Sequence, residues 1–227
     1  MPIAENLRYF ESQLQGTGAR LVAVTKTHPV ALLQEAYDAG ARLFGENKVQ
    51  ELVAKQPELP QDIEWHLIGH LQTNKVKYVA PFVHTIQSVD SLKLLQEIEK
   101  QAAKHGRVIQ CLLQFHIAAE ETKFGLSLPE AEEILQSEAY QAMRHVLITG
   151  VMGVATNTDD EPHLRREFGE LRGYFEQLQA RYFAQQPAFR EISMGMSSDY
   201  RLALEEGSTL IRVGSAIFGA RNYGVAG

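Results

Sequence analysis

Cysteine is nearly absent: the 227 residues contain one, Cys111, and a single thiol closes no intramolecular disulfide. It sits inside the apolar run 108–115, where a thiol packs as a small hydrophobe and is inert as a nucleophile. A reducing, cytoplasmic setting is expected. Excess positive charge is absent as well. The formal net charge is -6, which suggests no basic face and argues against a nucleic-acid binder. No stretch approaches the ~20 apolar residues of a membrane span. The amino terminus, with Glu5, Arg8 and Glu11 in its first turns, lacks the apolar core of a signal peptide. There is no internal repeat, low-complexity segment or composition break, so residues 1–227 read as one domain. A content of 44% hydrophobic and 22% charged residues is that of a globular chain with a full core.

What is present is a regular alternation of strands and helices. Ile3, Leu7, Phe10 and Leu14 fall at alternating four- and three-residue intervals and predict a leading amphipathic helix. Short apolar runs at 21–26, 43–47, 65–69, 85–89, 108–115, 146–151, 191–194 and 210–213 predict eight strands. Between them lie helical patterns. One carries Leu32, Leu33, Ala36 and Tyr37 and stops at Gly40, and another has Asp90 or Ser91 as cap and Gly106 as stop. A third opens on the capping box Ser127-Leu128-Pro129-Glu130. A fourth presents Leu164, Phe168, Leu171, Phe175 and Leu178, a seam explained by packing on the chain's own strands. A short helix is expected over 198–206. Eight such units with no linker are the pattern of a single (β/α)₈ TIM barrel with an extra N-terminal helix. A doubly wound sheet is the runner-up, but its first turn needs Gly-x-Gly-x-x-Gly, and Thr25-Lys26-Thr27-His28-Pro29 has none.

In such a barrel the carboxyl ends of the strands open into one mouth. Those ends carry Lys26, Glu46-Asn47, His70 or Gln72, His116, Met152 to Thr156, Met196-Ser197 and Gly214-Ser215. A lysine at a strand end can be stripped of water and become an amine nucleophile. Moving its pKa from ~10.4 to about 7 requires roughly 4–5 kcal/mol of differential interaction. A solvated lysine at a strand exit is the plainer alternative. Barrels commonly hold phosphate in the loops after strands seven and eight, and Gly195-Met196-Ser197-Ser198-Asp199 and Arg212-Val213-Gly214-Ser215 put small residues there. Ordinary turn and cap chemistry accounts for these residues equally well. A phosphate cradle facing a lysine suggests pyridoxal phosphate. Arg212 would reach the pyridine nitrogen, where a fixed positive charge weakens the ring as an electron sink; an ion pair with a barrel carboxylate is its other use.

The runs Val22-Ala23-Val24-Thr25-Lys26-Thr27, Phe44-Gly45-Glu46-Asn47, His66-Leu67-Ile68-Gly69-His70-Leu71-Gln72-Thr73-Asn74-Lys75 and Met194-Gly195-Met196-Ser197-Ser198-Asp199 closely resemble the pyridoxal phosphate homeostasis protein family. So does the run from Gly207 to Gly219, and the resemblance extends in order over essentially the whole chain. It implies a fold-type III barrel like the N-terminal domain of alanine racemase, with pyridoxal 5'-phosphate (PLP) held as a Schiff base on Lys26. On the same basis Asn47 is expected to line the cofactor ring, Arg212 to meet its nitrogen, and Ser197, Gly214 and Ser215 to form the phosphate site. One departure is His116, where relatives usually have asparagine, while Lys123 and Gly125 stay in register.

The resemblance implies a non-catalytic carrier or regulator of vitamin B6, without established catalytic activity. A PLP-dependent racemase is the alternative. It needs a second proton-transfer group, which alanine racemase takes from another subunit and its added β-domain. This chain ends at Gly227, directly after the eighth unit, leaving Tyr200 or Tyr223 as substitutes. A metal-dependent barrel hydrolase using His66, His70 and His116 is a third reading; it is set aside because no carboxylate is found at ligand spacing with them, so no metal is expected. The expected partners are PLP and PLP-dependent apoenzymes reached by contact, without nucleic acid or membrane. Lys48, Lys75 and Lys77 form at most a modest positive rim, and the chain is expected to be a monomer.

Overall fold

Each of the eight apolar runs forms a parallel strand, and the strands close in sequence order into a barrel. The structure is a computed structural model that describes residues 2–120 and 124–219. The strands are β1 (Arg20–Val24), β2 (Leu43–Glu46), β3 (Glu64–Leu67), β4 (Thr85–Val89), β5 (Ile109–Phe115), β6 (Val146–Gly153), β7 (Glu191–Ser193) and β8 (Leu210–Val213). Helix α1 (Ile3–Leu14) leads the chain, and α2 (Val30–Asp38), α3 (Val49–Lys55), α4 (Val76–Val79) and α5 (Leu92–Lys104) follow the first four strands. Next come α6 (Leu128–Gln136), α7 (Glu138–Gln141), α8 (Glu161–Tyr182), α9 (Tyr200–Glu205) and α10 (Ser215–Phe218). Ser91, rather than Asp90, caps α5 by accepting from the Leu94 N–H, and the Ser127–Glu130 capping box opens α6 as its spacing predicts. The seam of α8 is buried.

β2 and β3 end at Glu46 and Leu67, short of 47 and 69, β5 starts at Ile109 and β7 ends at Ser193; two further strand boundaries differ from the sequence reading for identifiable reasons. β1 stops at Val24, not at Lys26, because the His28 N–H bonds back to the Thr25 carbonyl at 3.1 Å and turns the chain. β6 runs on to Gly153. Its pairing with β5 slips by one residue, so that Cys111 faces Ile148 but Leu112 faces Gly150. Only glycine fits that slip, since a Cβ at Gly150 would lie 1.9 Å from the Glu191 carbonyl oxygen. Cys111 is fully buried and burial pushes its thiol far up, which leaves it inert.

The lumen is filled in two ways. Val22, Leu112, Met152 and Leu210, flanked by Leu43 and Val154, make an apolar plug inside the strands. Beside it runs a column of buried polar groups. Arg212 Nη1 donates to Ser193 Oγ at 2.6 Å, Ser193 Oγ donates to Gln87 Oε1 at 2.6 Å, and the Gln87 amide nitrogen lies 2.8 Å from His66 Nδ1. A buried column of this kind is stable only when each member finds a partner. Burial, with smaller pushes from His84 and Arg20, lowers the His66 imidazole to about 3. His66 is therefore neutral in the folded chain, whereas an unfolded histidine takes up a proton below about 6.5.

A histidine depressed in the fold binds its proton preferentially in the unfolded state. Its contribution is complete above pH 6.5 and is lost as the pH falls toward 3, at about 1.4 kcal/mol per pH unit. Urea unfolding between pH 7 and pH 4.5 is expected to show a slope steeper by one proton in the native chain than in His66→Asn. Parallel slopes would refute the neutral, buried assignment.

Candidate functional site

The turn that carries Lys26 is shaped by a buried ionic cluster behind it. Glu46, at the end of β2, is fully buried, and Lys55, at the end of α3, is nearly so. The Lys55 ammonium donates to Glu46 Oε2 at 2.8 Å, to Glu51 Oε2 at 3.0 Å and to the Thr25 carbonyl at 2.9 Å, which accounts for its three protons. Glu46 Oε2 also accepts from Thr25 Oγ1 at 2.9 Å, and Glu46 Oε1 from the Asn47 N–H at 2.9 Å. The Thr27 N–H donates to Glu51 Oε2 at 2.8 Å. Thr27 has a φ of 67°, a left-handed conformation that is costly for a β-branched residue and persists only where the surroundings enforce it. Partial burial pushes the Glu51 carboxyl up, but the Thr27 N–H and Lys55 outweigh that and leave it below its usual value. One cluster thus fixes the residues on both sides of Lys26 and the backbone of Asn47.

The opposite wall comes from the last two units. After β7, Gly195 adopts a φ of 91°, and a Cβ there would lie 2.6 Å from Ala203 Cβ. The chain then folds into a turn in which Asp199 Oδ1 accepts from the Met196 N–H at 2.6 Å and the Met196 carbonyl accepts from the Tyr200 N–H. This turn delays α9 to Tyr200, two residues later than the sequence suggested. After β8, Gly214 packs on β1: a Cβ there would lie 3.1 Å from the Val24 carbonyl oxygen. Between the two walls rises Arg212, buried, with Nη2 donating to the Gly153 carbonyl at 2.8 Å as well as Nη1 to Ser193. Burial lowers its guanidinium to about 10, partly opposed by Asp199, so Arg212 remains a cation at neutral pH. Its described hydrogen bonds go to neutral oxygens, not to a carboxylate.

These walls enclose a cavity of about 430 Å³ at the carboxyl ends of the strands. Lys26, Asn47, Ser197, Arg212, Gly214 and Ser215 all line it, together with Val24, Ile68, Val154 and Met196 as apolar surface. Asn47 Oδ1 is a buried oxygen with no hydrogen-bond partner among the described residues. Asn47 is held close against the β3 exit, where a Cβ on Gly69 would lie 2.3 Å from the Asn47 carbonyl oxygen.

Other residues singled out at strand ends go elsewhere. Glu46 faces Lys55, not the cavity. His70 Nδ1 lies 3.3 Å from Asp90 Oδ2, and its ring stacks on Phe124 at 4.0 Å. His116 Nε2 lies 2.9 Å from the Glu120 carbonyl, within its own loop. Gln72 is exposed, Met152 belongs to the lumen plug, and Thr156 is held by Glu167. Tyr200 packs edge-on against Phe10 of α1, with its hydroxyl 3.4 Å from Tyr9. Lys123 and Tyr223 lie outside the described residues. His66, His70 and His116 are not brought together as ligands among the described residues. Two features escaped the sequence reading. His28 lines the cavity, its ring 5.0 Å from that of Phe218. Lys55 was legible only as an i,i+4 partner of Glu51, a spacing that more often marks a solvated pair.

Comparison with known proteins follows the same lines. The family model described as alanine racemase, N-terminal domain, matches residues 2–222. The pyridoxal phosphate homeostasis protein of Aquifex aeolicus is 37% identical over 206 residues, covering 90% of this chain and 88% of that one. The structure of PipY from Synechococcus elongatus with PLP bound superposes with a TM-score of 0.83 at 37% identity, covering 96% of this chain and all of that one. Alanine racemase from Bartonella henselae shares the fold, with a TM-score of 0.71 at 17% identity, over 99% of this chain and 60% of the racemase. With its barrel and nearly its full length matched, this chain belongs to the pyridoxal phosphate homeostasis protein family.

Proposed function

We propose that this chain serves vitamin B6 homeostasis by holding PLP in the mouth cavity as a carrier, with the Lys26 amine as the point of attachment. In this reading Asn47 lies beside the ring, Arg212 meets the ring nitrogen, and Ser197, Gly214 and Ser215 take the phosphate. The observation that carries it is convergence. Six residues spread between positions 26 and 215 line one cavity, with a lysine and the small residues of the last two loops on facing walls. The donor set suits the group: apolar walls for a ring, an arginine cation, serine hydroxyls for an anion, and an Asn47 oxygen awaiting a donor. When bound, PLP supplies an electrophilic carbon for the lysine amine and a ring able to withdraw electrons.

The chain's own groups favour holding over turnover. Arg212, cationic at neutral pH, donates to a ring nitrogen and cannot take a proton from solvent to hand to it, which keeps that nitrogen unprotonated and the ring a weak sink. No described helix is long and apolar enough to cross a membrane. Delivery to PLP-dependent apoenzymes by contact is the corresponding role. One observation favours a racemase-like reading instead: His28 is the remaining titratable group among the described cavity-lining residues.

Two outcomes are expected. Purified chain reconstituted with PLP should show a visible absorbance band that Lys26→Ala abolishes and His28→Gln retains. Neither the native chain nor His28→Gln should racemise single amino acids; turnover that both substitutions abolish would establish the racemase reading. Lys55→Met strands a buried carboxylate and should cost about 3–5 kcal/mol in urea unfolding, with weaker PLP loading. Adding Glu46→Gln should restore part of that loss, because no charge is then buried. A cost below about 1 kcal/mol would show that the cluster does not shape the site.

A further inference from the structure

The floor of the barrel, at the amino ends of the strands, holds a second group of polar side chains that the mouth does not use. β3 begins Glu64-Trp65-His66, and the two-residue spacing puts Glu64 and His66 on one side of the strand. His84 directly precedes β4, whose Thr85 pairs with His66. One ligand-type atom from each of Glu64, His66 and His84 lies within 4.8 Å of the other two. His84 Nε2 is 4.0 Å from Glu64 Oε2, and the two imidazoles stack almost parallel with centroids 5.7 Å apart. The absence of a carboxylate at ligand spacing, expected from the sequence, therefore does not hold: the separation by two on one strand was overlooked.

Each imidazole is anchored through its other nitrogen. His84 Nδ1 lies 2.9 Å from Thr85 Oγ1, and His66 Nδ1 lies 2.8 Å from the Gln87 amide. That leaves both Nε2 atoms available. His66 is 2% exposed, and its Nε2 and Glu64 Oε2 are both buried without a hydrogen-bond partner among the described residues. Leaving such atoms unsatisfied destabilises the fold. A cavity of about 250 Å³ adjoins the cluster and is bordered by Glu64 and His84.

We propose that Glu64, His66 and His84 bind a divalent transition metal of the zinc class, with a fourth position open to the floor cavity. Two imidazoles and one carboxylate are a donor set such ions favour. Thr85 and Gln87 take the part of outer groups that orient ligating histidines. For His66 the Gln87 amide turns its oxygen toward Nδ1, a half-turn that exchanges atoms of nearly identical size and presents the amide N–H to Ser193 Oγ, which then accepts from Gln87 and Arg212 instead of donating to Gln87. Arg20 does not occupy Glu64: its closer contact is Glu191 at 2.9 Å, against 4.0 Å to Glu64. A tetrahedral site separates ligand atoms by roughly 3.4 Å, so the His84–Glu64 gap must close by roughly 0.6 Å, within side-chain rotation.

The test uses the full chain, stripped with chelator and titrated with Zn²⁺ by calorimetry and with Co²⁺ by visible absorption. One equivalent of each ion is expected, with a rise in Tm and a cobalt band of low-coordinate type. Glu64→Gln and His84→Ala should each weaken binding at least a hundredfold, and Thr85→Val about tenfold. The absorbance of PLP at the mouth should be unchanged in all three, which separates loss of metal from loss of fold. Absence of saturable binding, or binding that survives Glu64→Gln and His84→Ala, would overturn the proposal and assign the unsatisfied atoms to buried water.

Discussion

A single buried carboxylate sets the geometry on which the mouth of this barrel depends. Glu46 receives one N–H from Asn47, one hydroxyl from Thr25 and one ammonium from Lys55. Removing a carboxylate from water costs several kcal/mol unless its lone pairs are met, and here described donors reach both oxygens. The return is positional. Thr25 and Thr27 are tied on either side of Lys26, the latter through Glu51 in a left-handed conformation it would not adopt alone. An amine serving as the proposed point of attachment must be held to a fraction of an ångström. The cluster supplies that restraint from outside the cavity, without placing a competing carboxylate in it.

The cation on the opposite side follows similar logic. Arg212 is held from below by Ser193 and sideways by the Gly153 carbonyl, both neutral. Its charge stays directed at the cavity. The glycine at 150 that permits the β5–β6 slip also sets the register of the strand ending at Gly153. A defect in the ladder thus places one of the arginine's two acceptors.

Much of this was legible in the residues. Eight short apolar runs of regular spacing pointed to the barrel, and Ser127 to Glu130 to a helix start, because those signals are local. The six cavity residues were legible because strand ends converge in this fold, so a position along a strand translates into a position in space. Lys55, Glu51 and Glu46 were not. Their chemistry depends on α3 folding back over β2, and an i,i+4 pair looks the same on paper whether buried or solvated. His28 was not legible because it lies in the turn after β1, where strand alternation no longer sets the direction of a side chain. His116, marked as a departure, folds onto the Glu120 carbonyl of its own loop and leaves the cavity to others.

The central claim is that the reactive amine is Lys26, and it is tested most directly by borohydride reduction of the PLP-loaded chain followed by peptide mapping. A single reduced adduct on the peptide containing Lys26 is the expected result. Label on Lys55, Lys75 or Lys123, with Lys26 unmodified, would contradict it.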